Sequence, residues 1–194
     1  MSYMIQIENL LYEATNLYPR LMALRVDLHL PAIIDNGDSV CCFHNNSSGE
    51  ISRFRNSLKS KIDADQNRKR QRGLRIYDSQ AFIIWAKEYS QEGKCHYHIC
   101  LLFNKDAYYH LGDYEHDNNL RCLIIGAWYS AMGLQSDDHL GLVHFAENGR
   151  YFLNKNSSDF NDSRSMLLKR LAYLAKPETK IYGEGSRNYG CGRI

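Results

Sequence analysis

The sequence predicts an α+β fold. Three observations carry that expectation. Residues 24–30 alternate strictly, with Leu24, Val26, Leu28 and Leu30 on one side and Arg25, Asp27 and His29 on the other. Two apolar stretches, 80–89 and 95–103, are joined by a short turn containing Gly93, which reads as an antiparallel hairpin. Several other segments carry apolar residues at helical spacing.

The elements follow in order. Residues 5–14 read as a short helix through Ile7, Leu10, Leu11 and Ala14, with Pro19 beyond its end. Residues 21–30 read as a strand closed by Pro31, and 35–50, rich in Asn, Ser and Gly, as a loop. Residues 53–69 form a polar, basic helix with Phe54, Leu58 and Ile62 inward, broken at Gly73. After the hairpin, 120–132 make an amphipathic helix through Leu123, Ile124, Ala127, Trp128 and Ala131, with Gly133 as its C-terminal cap. Residues 142–145 and 149–153 are two short strand candidates. Asp162 or Ser163 can cap a last helix that runs to Ala175 and ends before Pro177. No repeat or linker divides the chain, so residues 1–194 read as one domain. Residues 1–20 form a helical N-terminal extension, and the Gly-rich tail 183–194 reads as irregular.

Composition excludes several classes. Hydrophobic residues are 44% and charged residues 24% of the 194, close to a soluble domain. No run approaches the apolar length of a membrane span, and the first residues do not form a secretory signal. The six Cys, at 41, 42, 95, 100, 122 and 191, show no repeated CxxC spacing and read as reduced, mostly buried thiols of a cytoplasmic protein. Net charge is only +2, but residues 53–75 carry +7 and the rest of the chain −5. That basic run is Arg53, Arg55, Lys59, Lys61, Arg68, Lys69, Arg70, Arg72 and Arg75. It is either a solvated helix face or a phosphate-contacting surface.

Two constellations point to chemistry. His96 and His98 flank Tyr97 on a strand, so both imidazoles project from one face. Such a pair is either an ordinary hydrogen-bonded couple or half of a divalent-metal site. A hairpin turn centred on Glu92 sets Glu88 directly across from His96, whereas a slip of one residue sets it against Tyr97. Glu88 otherwise reads as a surface carboxylate at a strand end. Two His and a carboxylate suit Mn²⁺ or Mg²⁺ with positions open to phosphate oxygens.

The second constellation is Tyr173-Leu174-Ala175-Lys176. On a wheel of about 3.6 residues per turn, Leu167, Leu168, Leu171, Leu174 and Ala175 share one arc. Tyr173, Lys169 and Lys176 lie away from it. Tyr173 is therefore an amphipathic boundary residue or a phenol placed among cations that favour phenolate and neutralise phosphate.

The His-Tyr-His strand, its upstream carboxylate and the later Tyr-x-x-Lys resemble the HUH endonuclease superfamily of rolling-circle initiators and relaxases. In layout the chain is closer to the inovirus Gp2 and prophage YagK/YfjJ-like families. His96–Asn104, Tyr173–Lys176 and the Arg-Asn-Tyr-Gly-Cys segment 187–191 carry that likeness. It covers roughly residue 21 to the C-terminus. One departure is the first strand, Arg-Val-Asp-Leu-His-Leu, which places Asp27 and His29 where either approaches the metal or only lines the site.

The resemblance implies a central antiparallel sheet of ferredoxin/RRM-like type presenting the His pair, with flanking helices. It implies a metal-dependent tyrosine endonuclease that nicks and rejoins single-stranded or hairpin origin DNA of a phage or other mobile element in a bacterial cytoplasm. Its metal ligands would be His96, His98 and Glu88. Its catalytic residues would be Tyr173 as nucleophile and Lys176, which would lower the Tyr173 pKa or clamp the phosphate. Arg53, Arg55, Lys59, Lys61, Arg68, Lys69, Arg70, Arg72 and Lys169 would contact DNA. No GxxxxGK[ST] motif occurs, so no nucleotide cofactor is expected and a host helicase would unwind the duplex. The alternatives are a DNA-binding regulator without activity and a metal-dependent nuclease using activated water. Tyr108, Tyr109, Tyr151 and Tyr182 compete as nucleophiles, Tyr151 foremost, though its segment reads as strand.

Overall fold

Alternation along five strands lets one sheet bury both of its faces, and the architecture follows from that. The computed structural model describes residues 2–31, 49–90, 94–112, 119–134, 141–174 and 187–194. In chain order the elements are α1 (Tyr3–Leu17), β1 (Arg20–His29), α2 (Glu50–Gln71), β2 (Phe82–Tyr89), β3 (Cys95–Asn104), α3 (Leu120–Met132), β4 (Val143–Asn154), α4 (Phe160–Ala172) and β5 (Tyr189–Arg193). The strands form one antiparallel sheet in the order β4-β1-β3-β2-β5, flanked by helices, which is the expected α+β class.

The even positions of β1 (Met22, Leu24, Val26, Leu28) and the odd positions of β3 (Tyr97, Ile99, Leu101, Phe103) share one core with Phe54, Leu58 and Ile62 of α2 and Trp128 of α3. Leu21, Ala23, Ile84, Ala86, Cys100 and Leu102 look the other way, into a second core with Ile7, Leu10 and Leu11 of α1 and Leu167 and Leu171 of α4. Each fully buried Leu, Ile or Phe contributes about 1.5–3 kcal/mol over exposure. Trp128 is fully buried, and its indole N–H donates to the His29 carbonyl at 2.8 Å, so its one polar atom is satisfied.

The helices of 53–69 and 120–132 are found with the inward residues expected. Gly133 ends α3 at φ +71°, in the left-handed region that a C-terminal cap favours. At the start of α3 the Asn119 side chain accepts from the Cys122 N–H at 3.0 Å.

Four expectations need correction or extension. The residues 1–20 do not merely extend the domain: α1 supplies Ile7, Leu10, Leu11 and Ala14 to the second core. The two strand candidates 142–145 and 149–153 are one strand, β4, interrupted where its pairing to β1 shifts between Leu24 and Val26. The last helix starts earlier than Asp162 or Ser163, with Asp159 as N-cap, and ends at Ala172 with Tyr173 as C-cap. The tail is not irregular throughout: β5 pairs with β2, Gly190 opposite Trp85. A Cβ at Gly190 would lie 2.7 Å from the Trp85 ring nitrogen, so this glycine of the tail is what lets the strand approach.

The loop 35–48, the turn around Glu92 and Gly93, Lys176, Pro177, Tyr182 and residues 183–186 lie outside the described residues, as do Cys41 and Cys42. Cys95, Cys100, Cys122 and Cys191 form no disulfide among the described residues; Cys100 is buried and the other three are half-buried. Among the described residues no helix is long and apolar enough to cross a membrane.

Candidate metal centre and its tyrosine

Strand register builds the site. β2 and β3 pair Glu88 with His96, as the hairpin reading requires. β1 and β3 pair Asp27 with His98 and His29 with His96. In an antiparallel sheet directly paired residues share a face. Asp27, His29, Glu88, His96 and His98 therefore meet on the face that α1 and α4 cover elsewhere.

The ligand atoms converge. His96 Nε2 is 3.2 Å from His98 Nε2, and His98 Nε2 is 3.3 Å from a Glu88 carboxylate oxygen. One atom from each of Glu88, His96 and His98 lies within 4.8 Å of the others, a group that can hold a metal ion. Glu88 is only 4% exposed, and its Oε1 has no hydrogen-bond partner among the described residues. A buried carboxylate oxygen without a donor is costly unless a cation satisfies it. Two imidazole nitrogens gathered beside that carboxylate fit a small divalent ion.

Asp27 is the residue that orients the pair. Its Oδ1 sits 2.5 Å from His98 Nδ1. An ionised carboxylate there places the proton on Nδ1 and leaves the Nε2 lone pair for the metal. The buried Arg25 guanidinium bonds the same carboxylate and donates to the Val26 carbonyl at 2.7 Å. Burial alone would raise the Asp27 pKa, but the His98 hydrogen bond and the Arg25 charge outweigh it and hold the carboxyl at about 2. His144 on β4 approaches Asp27 from the other side, Nδ1 to Oδ2 at 3.7 Å. His29 stacks on His96 with ring centroids 5.8 Å apart. Burial and the neighbouring His96 both lower its pKa, keeping it neutral. Asp27 thus bonds His98 and His29 stacks on His96, and neither is a member of the Glu88–His96–His98 group.

α4 brings Tyr173 to this place. Leu171 and Leu174 are fully buried and Tyr173 is 51% exposed, as the helical wheel predicts. The Tyr173 ring stands 6.5 Å from the His98 ring, inclined at 65°. Lys169 lies exposed one turn earlier on the same helix, where i and i+4 side chains are neighbours. Three competing tyrosines are placed differently. Tyr108 is buried and donates to Asp65 at 2.9 Å, and burial and that carboxylate push its pKa up. Tyr109 is exposed and stacks on Phe152. Tyr151 sits half-buried in β4, packed on the second core.

The basic helix is not part of this cluster. α2 covers the opposite face of the sheet, so Arg53, Arg55, Lys59, Lys61, Arg68, Lys69, Arg70 and Arg72 lie on the far side from the His pair. Several have local partners: Arg53 donates to the Ala131 carbonyl at 2.8 Å, Arg55 to the Arg193 carbonyl at 2.5 Å, and Lys59 pairs with Asp63 at 3.1 Å. The buried Asp65 carboxylate gathers Arg68 and Lys69. Sequence reasoning missed the supporting roles of Arg25 and His144. Arg25 carried a signal, since it shares the polar side of β1 with Asp27. His144 carried none, because its partner strand is remote in sequence.

Comparison with known proteins agrees on kinship. Residues 1–192 match the YagK/YfjJ C-terminal domain family. The chain is 60% identical over 194 residues to YagK of Escherichia coli K12, covering all of this chain and 93% of that protein, whose name describes it as uncharacterized. It is 42% identical over 195 residues to YfjJ of the same organism, also named uncharacterized, covering 98% of this chain and 93% of that one. No solved structure matches it. The chain belongs to the YagK/YfjJ C-terminal domain family.

Proposed function

We propose that this protein is a metal-dependent tyrosine endonuclease of HUH type that nicks and rejoins single-stranded DNA at a replication origin of a phage or related element. The observation that carries the reading is the meeting of Tyr173, 6.5 Å ring to ring from His98, with a Glu88–His96–His98 group able to hold an ion. A phenol at a helix end beside one imidazole of a group able to hold an ion is an arrangement that phosphoryl transfer to tyrosine can use.

Glu88, His96 and His98 would hold Mn²⁺ or Mg²⁺, which would supply a Lewis acid for the scissile phosphate. Asp27 keeps His98 in the tautomer that presents Nε2. Tyr173 Oη attacks phosphorus as the P–O3′ bond breaks, leaving a 5′-phosphotyrosine and a free 3′-OH; the phenol loses its proton and the leaving oxygen gains one. The phosphodiester energy is retained, so a later 3′-OH reseals the strand. Lys169 and Lys176 are the cations that balance phosphate charge. The substrate must be unpaired at the nick, as in a hairpin or melted origin, and a host helicase in the bacterial cytoplasm supplies unwinding.

The test is a denaturing adduct gel with single-stranded DNA of the element and Mn²⁺. A slower band from the native protein, lost with Tyr173→Phe and with EDTA, supports the reading. Cleavage without an adduct points to a water-using nuclease. Salt-sensitive binding with neither points to a non-catalytic regulator. An adduct lost with Tyr151→Phe and kept with Tyr173→Phe moves the nucleophile to β4.

A further inference from the structure

A second concave surface lies on the other face of the sheet, at its β4 edge. A cavity of about 650 Å³ opens between β4, the segment after β3 and the start of α3. Among the residues lining it are His110, Arg121, Asn148, Arg150 and Phe152. Arg150 pairs with Leu24 and Phe152 with Met22, which places both on the face opposite the His pair. No carboxylate is among its described lining residues. Glu147 is exposed in the neighbouring bulge, and Asp106 pairs with Arg20 at 2.8 Å.

Aromatic rings and cations are interleaved here more densely than anywhere else in the described structure. Tyr109 and Phe152 stack, centroids 5.0 Å apart and 19° between planes. Lys105 lies over both rings, 5.2 Å from Tyr109 and 4.7 Å from Phe152. Arg150 lies 5.6 Å from Phe152, and Arg121 lies 4.7 Å over Phe145. Tyr109 is 46% exposed, with the His110 ring edge-on to it at 4.2 Å between centroids. Asn148 stands at the bulge with φ +51°, a left-handed backbone that Asn tolerates better than most residues. An aromatic stack open to solvent, with the Lys105 ammonium over both rings and the Arg150 guanidinium beside Phe152, is the chemistry that holds an unpaired nucleotide. Within a duplex the base faces are already stacked on their neighbours, so a base that joins Tyr109 must be unpaired. The volume suits a mononucleotide-sized ligand.

We infer that this β4 cavity is an accessory single-strand site. It seats one unpaired nucleotide of the DNA outside the cleaved position, its base continuing the Tyr109–Phe152 stack and its phosphates on Arg121, Arg150 and Lys105. This inference rests on the DNA-nicking reading for the identity of the strand. It adds a second contact, on the reverse face, that holds the strand while the phosphotyrosine forms.

The experiment uses the full chain and a fluorescein-labelled oligothymidylate, with binding read by anisotropy in EDTA across about 50–300 mM salt. Adduct formation is read separately with element DNA and Mn²⁺. Tyr109→Ala should weaken binding about 10- to 100-fold with the salt slope unchanged. Arg150→Gln should weaken it and lower the slope of log K against log salt by about 0.7. Both residues are exposed, and equal melting temperatures exclude misfolding. Native affinity and slope in both variants overturn the site, and the nicking reading then stands if the adduct still needs Tyr173. Weakened binding in both variants supports the site even if the native protein forms no adduct, in which case the nicking reading alone fails. An oligothymidylate that the native protein does not bind overturns the site.

Discussion

Oδ1 of Asp27 on β1 lies 2.5 Å from Nδ1 of His98 on β3, and the far nitrogen of that imidazole faces Glu88. A carboxylate behind a ligating histidine sets its tautomer and raises its basicity. Asp27→Asn should therefore weaken Mn²⁺ affinity about 10- to 100-fold while the fold persists. Isothermal titration of the metal-free protein measures it; unchanged affinity would show that Asp27 plays no part in presenting His98.

Glu88 is the buried member with an unpartnered oxygen. Its charge should be a burden without metal and a ligand with it. Mn²⁺ should raise the melting temperature of the native protein and leave Glu88→Gln unmoved, because stabilisation tracks ligand concentration over Kd. Without metal, Glu88→Gln should be at least as stable as the native chain. A Glu88→Gln protein that still gains melting temperature with Mn²⁺ would remove Glu88 from the ligand set.

Asp27 also predicts an acid limb. Its carboxyl is held at about 2 in the folded protein, against about 3.9 when unfolded. On acidification the unfolded chain takes up this proton first. The stabilisation is thus complete above about pH 5 and is lost progressively as pH falls toward 2; its size is about 2.5 kcal/mol. Urea unfolding of metal-free protein should show this loss beginning below about pH 5, with a flatter profile in Asp27→Asn. Parallel profiles would count against it.

Gly190 should be intolerant of a side chain. A Cβ there meets the Trp85 ring at 2.7 Å, and a ring held between strands cannot step aside cheaply. Gly190→Ala should cost about 1–3 kcal/mol, seen as a lower urea midpoint and faster exchange of β5 amides. A native midpoint would mean that Trp85 repacks freely.

The sequence by itself determined the parts that local periodicity controls. Period-two alternation marked β1 and its polar side. The turn length at 90–94 set Glu88 against His96, since a hairpin register depends on a few adjacent residues. The apolar arc of the last helix put Tyr173 outside the core. Tertiary structure alone decided which remote pieces meet. Asp27 faces His98, and His144 faces Asp27, only because β1 inserts between β3 and β4. Arg53 and its basic neighbours went to the reverse face because Phe54, Leu58 and Ile62 bury against the even side of β1. The tail became a strand because β2 had an open edge and Gly190 could fit over Trp85. In each case the deciding term is burial and pairing between segments far apart in the chain, which no window of neighbouring residues contains.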